Sequence, residues 1–281
     1  MFCTNKPFIL ILFLSFVFVT CSPKLKSNVV TKLEPLAENA LIVVLELADN
    51  QDIDGQLIGE VSAKDNGFSV NCGYYQNIEN LKDIARASGA NLVKITQLKE
   101  PSKWSSCFRL WGKIYKVDDP KLYETKIEWS ENRRLTWDDF KGEPDTEAYP
   151  NTLAITNSGF GIESSFNPFK ASEIIVHNTF NTFKSWGLPN HKNEYVLRHE
   201  QIHFDITEIY TRKLRKSLAD NNLTSKDVSR ARAFFDATFQ EYQLFQERYD
   251  ADTQKGEKKD TQEKWEAIVE IELAKYDAYK N

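Results

Sequence analysis

Residue types and spacing that could do chemistry fall together in Leu197-Arg198-His199-Glu200-Gln201-Ile202-His203-Phe204-Asp205. In a helix, the four-residue step from His199 to His203 sets the imidazoles about 40° apart on one face, one turn above the other, so both reach one metal ion. Glu200 stands beside them, too far round to ligate but placed to take a proton from a metal-activated water. This His-Glu-x-x-His spacing favours zinc. On a plain surface helix the same residues would be two histidines and a glutamate in water. Against that stands economy, because the chain has only four histidines and two fall here. Asp205 lies about 200° round from the metal side, two residues past His203, and reads as an anchor to a neighbouring loop.

The elements that must position this stretch are helical. Asn193 is a side-chain cap for a helix running to about Leu218, with Val196, Leu197, Phe204, Ile206, Ile209, Tyr210 and Leu214 as its apolar surface. Thr224 and Asp227 open a second helix, whose stripe of Val228, Ala231, Phe235, Phe239, Tyr242 and Gln246 would pack on the first. Asp250 continues that stripe. Tyr242 and Tyr249 could donate to an oxyanion, although tyrosines on such a stripe are more often core. A third helix starts at the capping box Asp260-Thr261-Gln262-Glu263 and presents Trp265, Ile268, Val269, Leu273 and Tyr276. Ahead of the helices, 153–162 and 173–180 read as strands, after an opening at Ile127-Glu128-Trp129-Ser130.

Around the pentad the string lengthens to His199-Glu200-Gln201-x-His203-Phe204-Asp205. With Leu135-Thr136-Trp137-Asp138-Asp139-Phe140, the Ser185-Trp186 pair and Tyr249-Asp250 with Thr253, it resembles a bacterial family of predicted secreted zinc-dependent proteases, a domain of unknown function, over about residues 127–281. The resemblance implies a zincin-like metallopeptidase fold with zinc on His199 and His203 and Glu200 as catalytic base. It supplies no substrate. Members run Tyr-Asp-x-x-Thr-x-His-Gly, whereas this chain has Lys255 where the histidine belongs. If that histidine is the third ligand, the chain has lost it, and a protonated lysine beside zinc would repel the metal. The alternative is Asp250, a carboxylate from the second helix completing a His₂-carboxylate site. His177 and His191 rank behind it.

Upstream the chain changes character. Phe8 to Val19 is an apolar run after Lys6, too short to span a bilayer and of signal-peptide form over residues 1–20. Phe18-Val19-Thr20-Cys21 resembles a bacterial lipobox, which makes Cys21 a lipidation site and a membrane lipid anchor; plain secretion is the other reading. Either way the chain is exported, so Cys72 and Cys107 form an even pair in an oxidising compartment and are expected to bridge. Residues 21–39, polar with Pro23 and Pro35, read as a tether. From 40 to 118 follow strand candidates at 40–47, 57–61, 91–95 and 107–117 and a helix over 78–87 ending at Gly89. Asp118-Asp119-Pro120 marks a boundary.

A net charge of −5 with no contiguous basic block argues against a nucleic-acid partner. The expected architecture is therefore α+β: a small disulfide-bridged α+β module at 40–118, then a zincin-like domain at 125–281 with short strands first and a long helical half after. The function expected is that of a lipid-anchored zinc metallopeptidase of the bacterial cell envelope, hydrolysing a peptide or protein substrate. The competing readings are a non-catalytic envelope lipoprotein that keeps the fold, and an adaptor working through its N-terminal module.

Overall fold

Apolar residues at alternate positions pull the first half of the chain into a sheet. The computed structural model describes residues 22–280 except 68, 70–71, 103–104 and 165–170. Five strands, β1 (Lys24–Val29), β2 (Val43–Leu45), β3 (Gln56–Lys64), β4 (Leu92–Lys99) and β5 (Arg109–Lys116), lie in the order β1-β3-β5-β4-β2, and only β2 with β4 is parallel. Helix α1 (Tyr74–Ala87) covers one face, setting Ile78, Leu81 and Ala85 against Val61, Ala63, Val93, Ile95, Leu110 and Ile114. At its end Gly89 has φ +75°, and a Cβ there would come 2.5 Å from the Leu33 Cβ, so a glycine closes this helix. The Cys72–Cys107 disulfide spans 35 residues, a loop length that contributes about 3 to 4 kcal/mol.

Two expectations about this half change, and in the second half the single strand expected at 153–162 is two, Ala154–Ile155 and Ser158–Ser164, in different sheets. Residues 21–39 are not a tether throughout, because Lys24–Val29 forms β1, antiparallel to β3, and Leu33 and Leu36 pack on the core. Every residue of β1 is exposed, so backbone pairing holds it and burial leaves no strong mark in its sequence. Helix α1 also begins a turn before Ile78. The Tyr74 amide is capped by Glu163 Oε1 at 2.7 Å, a partner 89 residues away that no local pattern announces. The signal segment and Cys21 lie outside the described residues.

Beyond a short 3₁₀ turn at Pro120–Tyr123 comes a second sheet. Strands β6 (Lys126–Glu128), β8 (Ser158–Ser164) and β9 (Ile174–Asn181) run in the order β6-β9-β8, while β7 (Ala154–Ile155) pairs with β10 (Trp186–Gly187). Three helices finish the chain: α2 (Glu194–Asp220), α3 (Val228–Thr253) and α4 (Lys259–Lys275). Helix α2 is the axis of this half. One side packs Ile202, Ile206, Ile209 and Leu214 against β8, β9, α3 and α4, through Phe160, Val176, Tyr242 and Trp265. Its other side puts Phe204 among Ile127, Leu135, Phe140 and Phe180. The two halves touch where Tyr75 meets His177, ring centroids 4.5 Å apart. The fold is α+β, strands first and helices last. Among the described residues no helix is long and apolar enough to cross a membrane.

Candidate metal centre

Asn193 starts α2 as expected, its Oδ1 accepting from the Tyr195 and Val196 amides at 3.0 Å each. Two turns on, His199 and His203 project from one face toward α3. The His199 and His203 Nε2 atoms are 3.2 Å apart, and Asp250 Oδ1 lies 3.3 Å from the first and 3.1 Å from the second. These three could hold a metal ion. The triangle fits that use: a tetrahedral site with arms of about 2.0–2.1 Å has ligand-to-ligand edges of about 3.3–3.4 Å. Of the sequence-based alternatives for a third ligand, the fold brings Asp250 to the histidines. His177 lies on β9 beside Tyr75, and His191 is exposed in the turn before α2; neither joins the group.

The outward ring nitrogens are engaged. His203 Nδ1 donates to Gln246 Oε1 at 2.6 Å, while Gln246 Nε2 donates to the His203 carbonyl at 2.8 Å. His199 Nδ1 lies 2.8 Å from the Tyr249 hydroxyl, which also reaches the His199 carbonyl at 3.4 Å. Gln246 Oε1 can only accept, so the His203 proton sits on Nδ1; the Tyr249 hydroxyl, when it donates to the His199 carbonyl, can accept from His199 Nδ1, and in that arrangement both Nε2 lone pairs face the inner side. The Tyr249 ring stacks on His199 at 4.7 Å, fixing its plane. Burial and the nearby Glu200 and Asp250 charges push the Tyr249 hydroxyl far up, so it stays neutral. Sequence patterning treats Gln246 and Tyr249 as packing residues. The steps of three and four residues from Gln246 to Tyr249 and to Asp250 are the signal of the larger role, since positions so spaced share a helix face.

Electrostatics favour a cation at the centre. Burial acts to raise the Asp250 carboxyl, but whenever the imidazoles carry a proton on Nε2 their hydrogen bonds outweigh it and hold the group well below the usual range. For His203, burial opposes protonation, yet Asp250 and Glu200 raise its affinity for a proton. A field that attracts a proton to Nε2 attracts a metal cation to the same point. Glu200 is buried and takes no side-chain hydrogen bond among the described residues, so its carboxylate is not tied down. Asp250 keeps 39% of its side chain exposed, so the centre opens to solvent on that side.

The opposite face of α2 does mechanical work. Asp205 Oδ1 accepts from Trp129 Nε1 at 2.7 Å and Gln201 Nε2 at 2.8 Å, and Gln201 Oε1 accepts from the Leu135 amide at 2.8 Å. Asp205 is thus an anchor for residues 129–135. Within the next turn, the Thr136 amide and hydroxyl both bond Asp139, while Trp137 packs on Gly187, where a Cβ would come 2.6 Å from the ring. Lys255 is exposed, between Gln254 and Gly256 in three successive residues of positive φ (50°, 53° and 86°). Through this bend Gly256 comes against the back of His199, where a Cβ would lie 3.3 Å from Nδ1.

Residues 180–257 match the model of a family described as a bacterial protein of unknown function, DUF922. That span holds α2, α3, the bend after α3 and all three residues of the group that could hold a metal. No curated protein and no solved structure matches the chain.

Proposed function

We propose that this chain is an exported, lipid-anchored zinc metallopeptidase-like protein that hydrolyses peptide or related amide bonds. The observation that carries the reading is the triangle of His199 Nε2, His203 Nε2 and Asp250 Oδ1, with sides of 3.1–3.3 Å and both Nδ1 atoms held from behind. Zinc in that triangle would supply a Lewis acid that brings the pKa of a water to about 7. Glu200 then acts as general base, taking the proton as the water attacks the amide carbon and returning it to the leaving amine. Gln246 and Tyr249 keep the imidazoles in the ligating tautomer. Export is supported by the disulfide, which belongs to an oxidising compartment, and by the apolar run ahead of Cys21.

Lys255 favours a second reading, a non-catalytic envelope lipoprotein that keeps a zincin-like fold for binding. Metal analysis of the chain purified without chelators separates the two. The expected content is about one zinc per chain. His199→Ala or His203→Ala should abolish it, Asp250→Ala should reduce it sharply, and Glu200→Gln should keep the metal while removing hydrolysis. Protein that stays metal-free at neutral pH with free zinc supplied would hand the case to the non-catalytic reading.

A further inference from the structure

The face of the N-terminal sheet turned away from α1 is cationic, and no stretch of sequence reveals it. Cross-strand partners share a face. Lys24 pairs with Lys64 and Lys26 with Ser62 across β1 and β3. Ser62 pairs with Trp111, and Lys113 lies opposite Glu60 across β3 and β5. Arg109 pairs with Lys99 and Trp111 with Gln97 across β4 and β5. Four strands thereby gather Lys24, Lys26, Lys64, Lys99, Arg109 and Lys113 around Trp111. The Lys64 and Lys99 ammoniums stand 5.1 and 5.6 Å from the Trp111 ring, which places all three side chains on this side of the sheet. Glu60 is the one acid among these paired positions. In a chain of net charge −5 this concentration is the opposite of the average surface.

We infer that this face lies on the anionic headgroup surface of a lipid bilayer. Charge complementarity is the first argument, and a half-buried tryptophan at the centre of the cations is the second, since indole rings settle at the membrane–water boundary. Position is the third. It rests on the lipid-anchor reading: Lys24 follows Cys21 by three residues, a leash of at most about 10 Å, so a lipid on Cys21 holds the β1 edge of the sheet at the headgroups. The anchor holds the chain at the bilayer, and the electrostatic contact would decide which face of the module meets it. The sheet then acts as a foot.

The test uses the exported chain, residues 21–281, with Cys21→Ser so that no lipid contributes. Sedimentation with phosphatidylcholine vesicles containing about a quarter phosphatidylglycerol should pull it down, and pure phosphatidylcholine should not. Raising salt from about 0.1 M to about 1 M, where the Debye length shrinks from ~10 to ~3 Å, should release it. Replacing Lys26, Lys64 and Lys113 together by glutamine should weaken partitioning by about a hundredfold, near fivefold for each cation. Equal binding to neutral vesicles, no binding to anionic ones, or a triple variant that binds like the parent would overturn the inference. So would single-stranded DNA bound more tightly than the vesicles and lost in the same variant, which would make the face a nucleic-acid surface. The salt series on the parent protein decides the matter even if the triple variant misfolds. Fractionation of cells making either the full chain or its Cys21→Ser variant, with the membranes washed at about 1 M salt to release the electrostatic contact, reads the anchor separately, so failure of the anchor and failure of the foot are distinguishable.

Discussion

Asp205 offers a sharp test of the division of labour on α2. In Asp205→Ala, two donors lose their acceptor, Trp129 Nε1 at 2.7 Å and Gln201 Nε2 at 2.8 Å. A buried donor left unpaired costs about 1–3 kcal/mol; half-buried Trp129 can recruit water and falls at the low end, so the sum is about 2–4 kcal/mol. Asp205→Asn is different, since Oδ1 can keep both bonds while the new amide nitrogen replaces Oδ2, which faces Arg134 at 3.3 Å. That guanidinium is 63% exposed and can turn to water. Burial, against the pull of Arg134, Trp129 and Gln201, raises the Asp205 carboxyl above its ordinary value. The native state therefore binds this proton more tightly than the unfolded chain. Stability falls as pH rises through the raised value, and the charged form carries a cost at neutral pH that asparagine removes. Asparagine should stay within about 1 kcal/mol of the parent, and alanine should lower Tm by roughly 5–15 °C. Urea unfolding monitored by circular dichroism gives the free energies, and a thermal scan the shift in Tm. Metal affinity should change little in either variant, because Asp205 faces away from the centre. Equal losses for the two variants, or alanine within about 0.5 kcal/mol of the parent, would refute the reasoning.

Gln246→Leu keeps the packing volume but removes the acceptor at His203 Nδ1, and it should weaken metal binding by about 10–100-fold in competition with a chelator, with α-helix content unchanged. Unaltered affinity would show that Gln246 does not orient the imidazole. His177, pushed down to about 4 from 6.5 by burial and by Lys126 and Arg215, is neutral in the fold. Its stabilising contribution is present above pH 6.5 and is lost as pH falls toward 4, because the unfolded chain takes up the proton first. Allowing for partial exposure, His177→Phe should flatten that acid limb by about 2 kcal/mol, and a limb of unchanged slope would count against it.

Helical periodicity reads well from this sequence. The Asn193 cap, the α2 stripe and Gly89 after α1 are local signals, and each sits where its pattern places it. The two histidines and Asp250 are legible for a related reason: once α2 and α3 are drawn as amphipathic helices, the ends of their stripes meet. What stays hidden is set by partners far along the chain. Strand β1 exists because β3 offers it an edge, and its own residues are all exposed. The start of α1 depends on Glu163, and the cationic face depends on the register of four strands. None of these leaves a periodic trace.

Lys255 weighs less against a metal centre than its position in the sequence suggests. The third side of the triangle is closed by Asp250, which leaves α3 one turn earlier, so the ligand count does not wait on residue 255. The bend that follows has a different use. Three successive residues of positive φ turn the backbone back on itself, an arrangement an ordinary side chain adopts only when its surroundings enforce it. Here the surroundings are Tyr195, whose hydroxyl donates to the Gly256 carbonyl, and the His199 ring, against which Gly256 packs. The bend therefore braces the back of the His199 imidazole, while Lys255 at its crest is exposed. Replacing Lys255 is consequently a change at the rim, whereas any side chain at Gly256 would press on His199 itself.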